Sequence, residues 1–164
     1  MTTPSRNRLI AIDFDARIGP GASPDAEHER RVAIYDLLQE NAFALVHHDG
    51  GPYRLTLSSE SGRLMLDVAD ESAARVALIG LAMSPLRRIV KDYFMICDSY
   101  LKAIRTATPS QIETIDMARR GLHNEGAELL RERLSGKAEV DRATARRLFT
   151  LVSVLFWRGD GHGG

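Results

Sequence analysis

The stretch that indicates the fold most clearly is "YRLTLSSESGRLMLDVA", residues 53–69. Apolar side chains alternate with polar ones on both sides of a "SESG" turn: Tyr53, Leu55 and Leu57 before it, and Leu64, Leu66 and Val68 after it. Alternation with a period of two is typical of a half-buried β-strand, and a short polar turn between two such runs is typical of a hairpin. The stretch therefore predicts consecutive antiparallel strands.

Further strands are predicted on both sides of this hairpin. "RLIAIDFD" (8–15) alternates so that Ile10, Ile12 and Phe14 share one face, with Asp13 and Asp15 on the other. "FALVHH" (43–48) is a second β segment. "ARVALIGLA" (74–82) fits either a strand or the start of the following helix, but its β-branched residues and the Ser84–Pro85 helix start favour a strand ending near Met83.

Four helices complete the predicted fold. The first begins at Ser23–Pro24, a typical cap and first turn, and continues to about Glu40. A second spans 84–107, where a wide apolar stripe predicts a central helix that contacts both the sheet and another helix. A third runs from the "TPSQ" capping box to Ser135, and a fourth begins at Asp141 and is apolar on nearly all sides by Phe156.

The pattern predicts an α+β protein with a small, mostly antiparallel sheet packed against helices and a three-helix C-terminal half. A chain of 164 residues is long enough for one domain with its own core, and we expect residues 1–164 to form a single domain. The polar ends, residues 1–7 and 159–164, are expected to be disordered tails.

Composition excludes several classes of protein. The 22 basic and 22 acidic residues give no net charge, which argues against a dedicated nucleic-acid or anionic-membrane protein. No window resembles a membrane span, and "MTTPSRNRLIAIDFD" has no apolar run of signal-peptide length. The single cysteine, Cys97, allows no internal disulfide and favours a reducing compartment, so we expect a cytoplasmic protein.

Motifs for metals and cofactors are weak. The "IDFD" acids invite comparison with aspartate-based phosphotransferases, but the hairpins that follow do not fit that fold. His47 and His48 point to opposite faces of a strand, so they cannot easily hold one ion together. We therefore expect no metal and no cofactor, and the sequence gives no catalytic residue.

The functional lead is "IDMARRGLHNEGAELL", residues 115–130, in the third helix. At about 100° per residue, Asp116, Arg119 and His123 fall within the apolar stripe of this helix. Gly126 shares the stripe, where its missing side chain would let another element approach. The first helix repeats the pattern more faintly at Arg30.

Three interpretations of this cluster stay open. It could be a satisfied internal network that fixes helix packing, because a buried charge without a partner costs several kcal/mol. It could line a pocket for a small anion, since an arginine and a titratable histidine suit such a ligand. It could also be catalytic, although no nucleophile or second carboxylate stands at a diagnostic spacing.

Long runs of the chain resemble a known group of small bacterial proteins. These runs are "SPLRRIVKDYFMICDSYLKAIRTATPSQIETIDMARRGLHNEGAELLRERLSGK", "ATARRLFTLVSVLFWRG", "RLIAIDFD" and "PDAEHERRVAIYDLLQEN". The group is uncharacterised protein family 0262. The resemblance covers most of the chain, with region 44–82 the loosest match, and it implies a bacterial cytosolic protein without bringing any activity or site residue.

Two functional hypotheses follow. The leading one is a cytosolic, non-enzymatic interaction or regulatory protein that self-associates by burying apolar surface around Phe149, Phe156 and Trp157, with a further protein partner left open. The alternative is a protein, or an enzyme, that binds a small phosphate- or carboxylate-type anion at Asp116, Arg119, His123 and Arg30.

Overall fold

The computed structural model describes residues 6–18 and 23–156 of the chain. Of the two predicted tails, residues 1–5 and 159–164 lie outside this range. Arg6 and Asn7 are described and make hydrogen bonds: Arg6 Nε donates to the Gly51 carbonyl (2.8 Å), and the Asn7 carbonyl accepts from the backbone N–H of Phe43 (3.0 Å).

The α+β class and the three-helix C-terminal half are confirmed. In chain order the elements are β1 (Leu9–Phe14), α1 (Pro24–Gln39), β2 (Phe43–Leu45), β3 (Tyr53–Glu60), β4 (Arg63–Ala69), β5 (Arg75–Ala82), α2 (Ser84–Thr106), α3 (Pro109–Leu134), β6 (Ala138–Val140) and α4 (Arg142–Phe156). The segment that was ambiguous between strand and helix is the strand β5.

The main sheet has the order β1-β3-β4-β5. The predicted hairpin is present: β3 pairs antiparallel with β4, and Leu57 lies opposite Leu66. β4 pairs antiparallel with β5, while β1 runs parallel to β3 at the other side. A second, two-stranded sheet joins β2 to β6, a three-residue strand that the sequence did not indicate.

The predicted faces of β1 are wrong at one end. The pairing of β1 with β3 is irregular between Leu9 and Ala11, and this irregularity changes which side chains face the core. Leu9 is therefore buried, whereas Ile10 is half-buried. Ile12 and Phe14 are buried as expected, because the pairing with β3 is regular along that part of the strand.

The central helix is α4, not α2. Helix α4 packs against α1, α3 and strand β3, and most of its side chains are buried. Helix α2 packs chiefly on α3, and its second half leaves Met95, Leu101 and Ile104 exposed. The wide apolar stripe of α2 is therefore only partly covered.

The close approach expected at Gly126 is confirmed. A Cβ atom added there would lie 2.3 Å from two carbons of the Phe149 ring, far inside van der Waals contact. Phe149 has no exposed surface, so the ring fills the space above the glycine and joins α3 to α4. Phe149 therefore belongs to the core of this chain and offers no surface to a second subunit.

Candidate functional site

Asp116 lies on α3 between two arginines. Its Oδ1 accepts from Nη2 of Arg119 at 2.5 Å and from Nε at 3.2 Å, while its Oδ2 accepts from Arg120 at 2.6 Å. The hydrogen bond from Arg119, together with the one from Arg120, lowers the pKa of Asp116. The carboxylate is therefore ionised and satisfied from both sides.

The two arginines differ in exposure. The Arg119 side chain is 30% exposed and its guanidinium stacks 4.5 Å from the centre of the Tyr100 ring, whereas the Arg120 side chain is 63% exposed. Burial opposes the charge of Arg119, but the hydrogen bond and ion pair with Asp116 outweigh it and raise the pKa of Arg119. In the described part of the chain, Nη1 of Arg119 has no hydrogen-bond partner.

His123, one turn further along α3, is packed between aromatic rings. Its ring centre lies 5.2 Å from that of Tyr93 and 5.3 Å from that of Phe149. Nε2 lies 2.8 Å from the hydroxyl oxygen of Thr150 on α4. Burial, with the positive charges of Arg146 and Arg119, lowers the pKa of His123 to about 4, so the imidazole is neutral near pH 7.

A cavity of about 580 Å³ opens beside these residues. Its walls come from the first turns of α1, from the face of α2 between 93 and 101, and from α3 and α4. The lining is mainly apolar and aromatic, and among the described residues Arg119 is the only arginine or lysine in it. This volume lies within the range typical of small-molecule sites.

The structure brings the predicted site residues together only in part. Arg119 lines the cavity and donates a hydrogen bond to Asp116, which is not part of the lining. His123 contacts Thr150, which is also in the lining. Arg30 does not line this cavity. It pairs with Asp13 (2.6 Å) and Glu27 (3.7 Å), and its guanidinium lies 4.3 Å from the centre of the Phe14 ring.

Several lining residues were missed by the sequence analysis. They are Asp25 and Glu29 of α1, Tyr93 and Cys97 of α2, and Thr150 of α4. Tyr93 and Cys97 hydrogen bond to each other, and burial raises the pKa of both groups. The one available signal was the stripe on α2, which is wider than a single packing partner covers.

Three groups beside the cavity, on Thr150, His123 and Cys97, are not activated for acid–base or nucleophilic chemistry. The Thr150 hydroxyl donates to the Arg146 carbonyl (3.3 Å), so its proton is already engaged, and a histidine with a pKa of about 4 is a weak base at pH 7. Cys97 carries a thiol of raised pKa, whereas reactive cysteines have lowered values. Within residues 6–18 and 23–156, no cluster of His, Cys, Asp or Glu could hold a metal ion, and no helix is long and apolar enough to cross a membrane.

Comparison with known proteins identifies a family. A model described as "Uncharacterised protein family (UPF0262)" matches residues 6–158. The UPF0262 protein of Rhizobium meliloti (strain 1021) is 59% identical over 152 residues, which are 93% of this chain and 96% of that protein. A UPF0262 protein of Nitrobacter winogradskyi is 54% identical over 156 residues, which are 95% of this chain and 93% of that protein. No solved structure matches the chain.

Proposed function

The chain belongs to the uncharacterised protein family UPF0262, and from the geometry of its cavity we propose that it is a non-enzymatic protein that binds a small organic acid. The observation that carries this proposal is the guanidinium of Arg119 in the wall of an otherwise mainly apolar cavity of about 580 Å³. The bound molecule has an apolar body and an acidic group of the carboxylate or phosphate type. Arg119 is the contact for the acidic group.

The position of Arg119 supports this role. Asp116 and the Tyr100 ring fix the guanidinium, so little side-chain entropy is lost when a ligand binds. Nη1 makes no hydrogen bond within the described residues, so its two N–H groups can donate to a bound ligand. An arginine that is held in this way is suited to planar acidic groups.

A non-enzymatic role is supported by the weak acid–base groups around the cavity. His123 is neutral and hydrogen-bonded, and the thiol of Cys97 resists ionisation. The cytoplasm is the compartment that we propose, because the only cysteine of the chain is free and half-buried, as is common in reducing compartments.

Calorimetric titration with phenylpropionate and phenyl phosphate tests the proposal, because the two probes share a ring and differ in the acidic group. We expect at least one to bind the wild-type protein, and Arg119→Gln to weaken that binding by about ten-fold or more, which corresponds to ~1.4 kcal/mol. Arg120→Gln is the matched control, since Arg120 also pairs with Asp116 but does not line the cavity.

Arg119→Gln should stay folded, because Asp116 keeps its ion pair with Arg120. Circular dichroism checks this, and Arg119→Lys, which keeps the charge, should bind more tightly than Arg119→Gln. The proposal is wrong if neither probe binds, or if both glutamine variants bind as the wild-type protein does.

Self-association is a second candidate property, and a specific observation favours it. Val32, Tyr35 and Leu38 are spaced along one side of α1, and all three are exposed, with Tyr35 at 64%. Such a stripe is a more suitable interface than α4, whose apolar face is covered by the chain's own core. Trp157, part of the predicted interface, lies outside the described residues.

Light scattering at high micromolar protein concentration tests self-association. We expect a species larger than a monomer in the wild-type protein, and a monomer in Tyr35→Glu, which introduces a charge into the stripe. Asp36→Glu, which leaves the charge unchanged at the next position, is the control. A wild-type monomer under these conditions would exclude this property.

A further inference from the structure

The cavity carries opposite charges on two different helices of its lining, and this feature narrows the class of ligand that the proposed function requires. Arg119 contributes the positive charge from α3, and Asp25 and Glu29 contribute negative charges from the first turns of α1. Among the described residues, neither acid forms an ion pair within 4.0 Å, with Arg119 or with any other group. The two carboxylates of the α1 wall are therefore available to a bound molecule, and Arg119, which pairs with Asp116, offers the donors of its Nη1.

The charges of both walls affect the same two side chains of α2, Tyr93 and Cys97. Apart from the effect of burial, the charge of Glu29 raises the pKa of Tyr93 and of Cys97, whereas the charge of Arg119 lowers the pKa of both. Glu29 and Arg119 are thus both within electrostatic range of one stretch of wall. Since no ion pair joins them, a gap separates the two charges, and a ligand that carries both signs can bridge it.

The third acidic residue of the lining, Asp98, already forms an ion pair. Asp98 pairs with Lys102 at 3.0 Å on the surface of α2, so its charge is partly neutralised. The remaining lining is mainly apolar, with Phe94, Leu101 and Val154 as examples, and it also includes the polar Ser23, His28 and Thr150. The free negative charge therefore belongs to the α1 wall, and the space between the walls suits a hydrocarbon body.

We propose that the ligand is a zwitterion with an apolar body, which places its acidic group on Arg119 and its ammonium group on Glu29, with Asp25 adding to the negative field. This inference rests on the proposed function and adds to it a positively charged group on the ligand. A purely anionic molecule is attracted by Arg119 but repelled by two unpaired carboxylates. A purely cationic molecule is attracted by the two carboxylates but repelled by Arg119. Only a ligand with both charges is therefore attracted by both walls.

Three probes with the same phenyl body separate these cases: phenylalanine carries both charges, phenylpropionate only the carboxylate, and phenethylamine only the ammonium group. In calorimetric titrations of the wild-type protein, we expect phenylalanine to bind about ten-fold more tightly than phenylpropionate. Glu29→Gln should abolish this preference by weakening phenylalanine and not phenylpropionate. Asp36→Asn removes the same charge from α1 outside the cavity and should leave the preference intact.

The outcomes distinguish this inference from the proposed function. If phenylpropionate binds as tightly as phenylalanine and both depend on Arg119, the cavity binds organic acids but the ammonium contact is wrong. If phenethylamine binds most tightly, the ligand is a cation, and the zwitterion is excluded. If none of the three probes binds, the proposed function fails together with the inference that rests on it.

Discussion

His123 is a residue whose burial opposes its protonation. It has an ordinary pKa of 6.5 when unfolded, and in the folded protein burial and two nearby arginines lower that pKa to about 4. Between these values the unfolded chain binds a proton at His123 and the folded chain does not. Stability is therefore complete above the unfolded pKa and decreases as the pH falls from there towards the folded pKa.

We predict that the free energy of unfolding decreases by about 2 kcal/mol between about pH 7.5 and about pH 5 because of His123. Urea unfolding at the two pH values measures the change. His123→Gln, which cannot titrate, should show a much flatter dependence. His47→Gln is the control, since it makes the same substitution at an exposed histidine in the loop after β2.

The acids of lowered pKa do not interfere with this measurement. Hydrogen bonds lower the pKa of Asp15, Asp70 and Asp116 from an ordinary value of 3.8, so these acids change the stability only at pH values below the tested range. If His123→Gln retains the full pH dependence of the wild-type protein, the imidazole is not the responsible group.

At the scale of single residues, the inward direction of two side chains was predictable. The angular positions on α3 placed Asp116, Arg119 and His123 within the apolar stripe, and the latter two are indeed turned towards neighbouring helices. The partner of Asp116 at Arg120 was not predicted, because Arg120 lies outside the stripe and reaches back with a long side chain. Arg30 also falls within the apolar stripe of its helix, but its environment is different, since it contacts Asp13 and Phe14 of β1.

At the scale of elements, the contact between α3 and α4 depends on one missing side chain. Gly126 lies directly under the Phe149 ring, whereas Gly121, in the same helix, has no atom within 4 Å of an added Cβ. The two glycines therefore separate the effect of packing from the effect of helix propensity. The first effect is specific to Gly126, and the second is common to both positions.

We predict that Gly126→Ala lowers the free energy of unfolding by about 2 kcal/mol, because the added Cβ would force the fully buried Phe149 ring to shift within the core. Gly121→Ala should instead raise it by up to about 1 kcal/mol, as alanine favours the helix. Chemical denaturation of both variants measures the difference. Equal stabilisation by the two substitutions would show that the ring moves away without cost.

Element types were more predictable than their partners. Hairpins follow from local alternation and turn residues, which is why β3, β4 and β5 are in the expected positions. The faces of β1 depend on an irregular pairing with β3, about 40 residues away, and local alternation contains no information about it. Likewise, the breadth of the stripe on α2 does not say whether a helix or a cavity lies against it.

At the scale of the molecule, the cavity is a product of topology. Its walls come from α1, α2, α3 and α4, and four strands separate α1 from α2 in the chain. Because α1 and α2 both approach the central α4 without closing on each other, side chains such as Glu29 and Tyr93 face a common space. Sequence patterns report the face of each helix, but not which faces meet.

The central position of α4 also affects how the protein is made. Every other described element precedes α4 in the chain, so a ribosome releases α1, the sheet and α3 before the helix that fills the space between them. The nascent chain consequently carries uncovered hydrocarbon surface until α4 emerges. We expect chaperone engagement to be concentrated in that interval and to end abruptly once α4 docks.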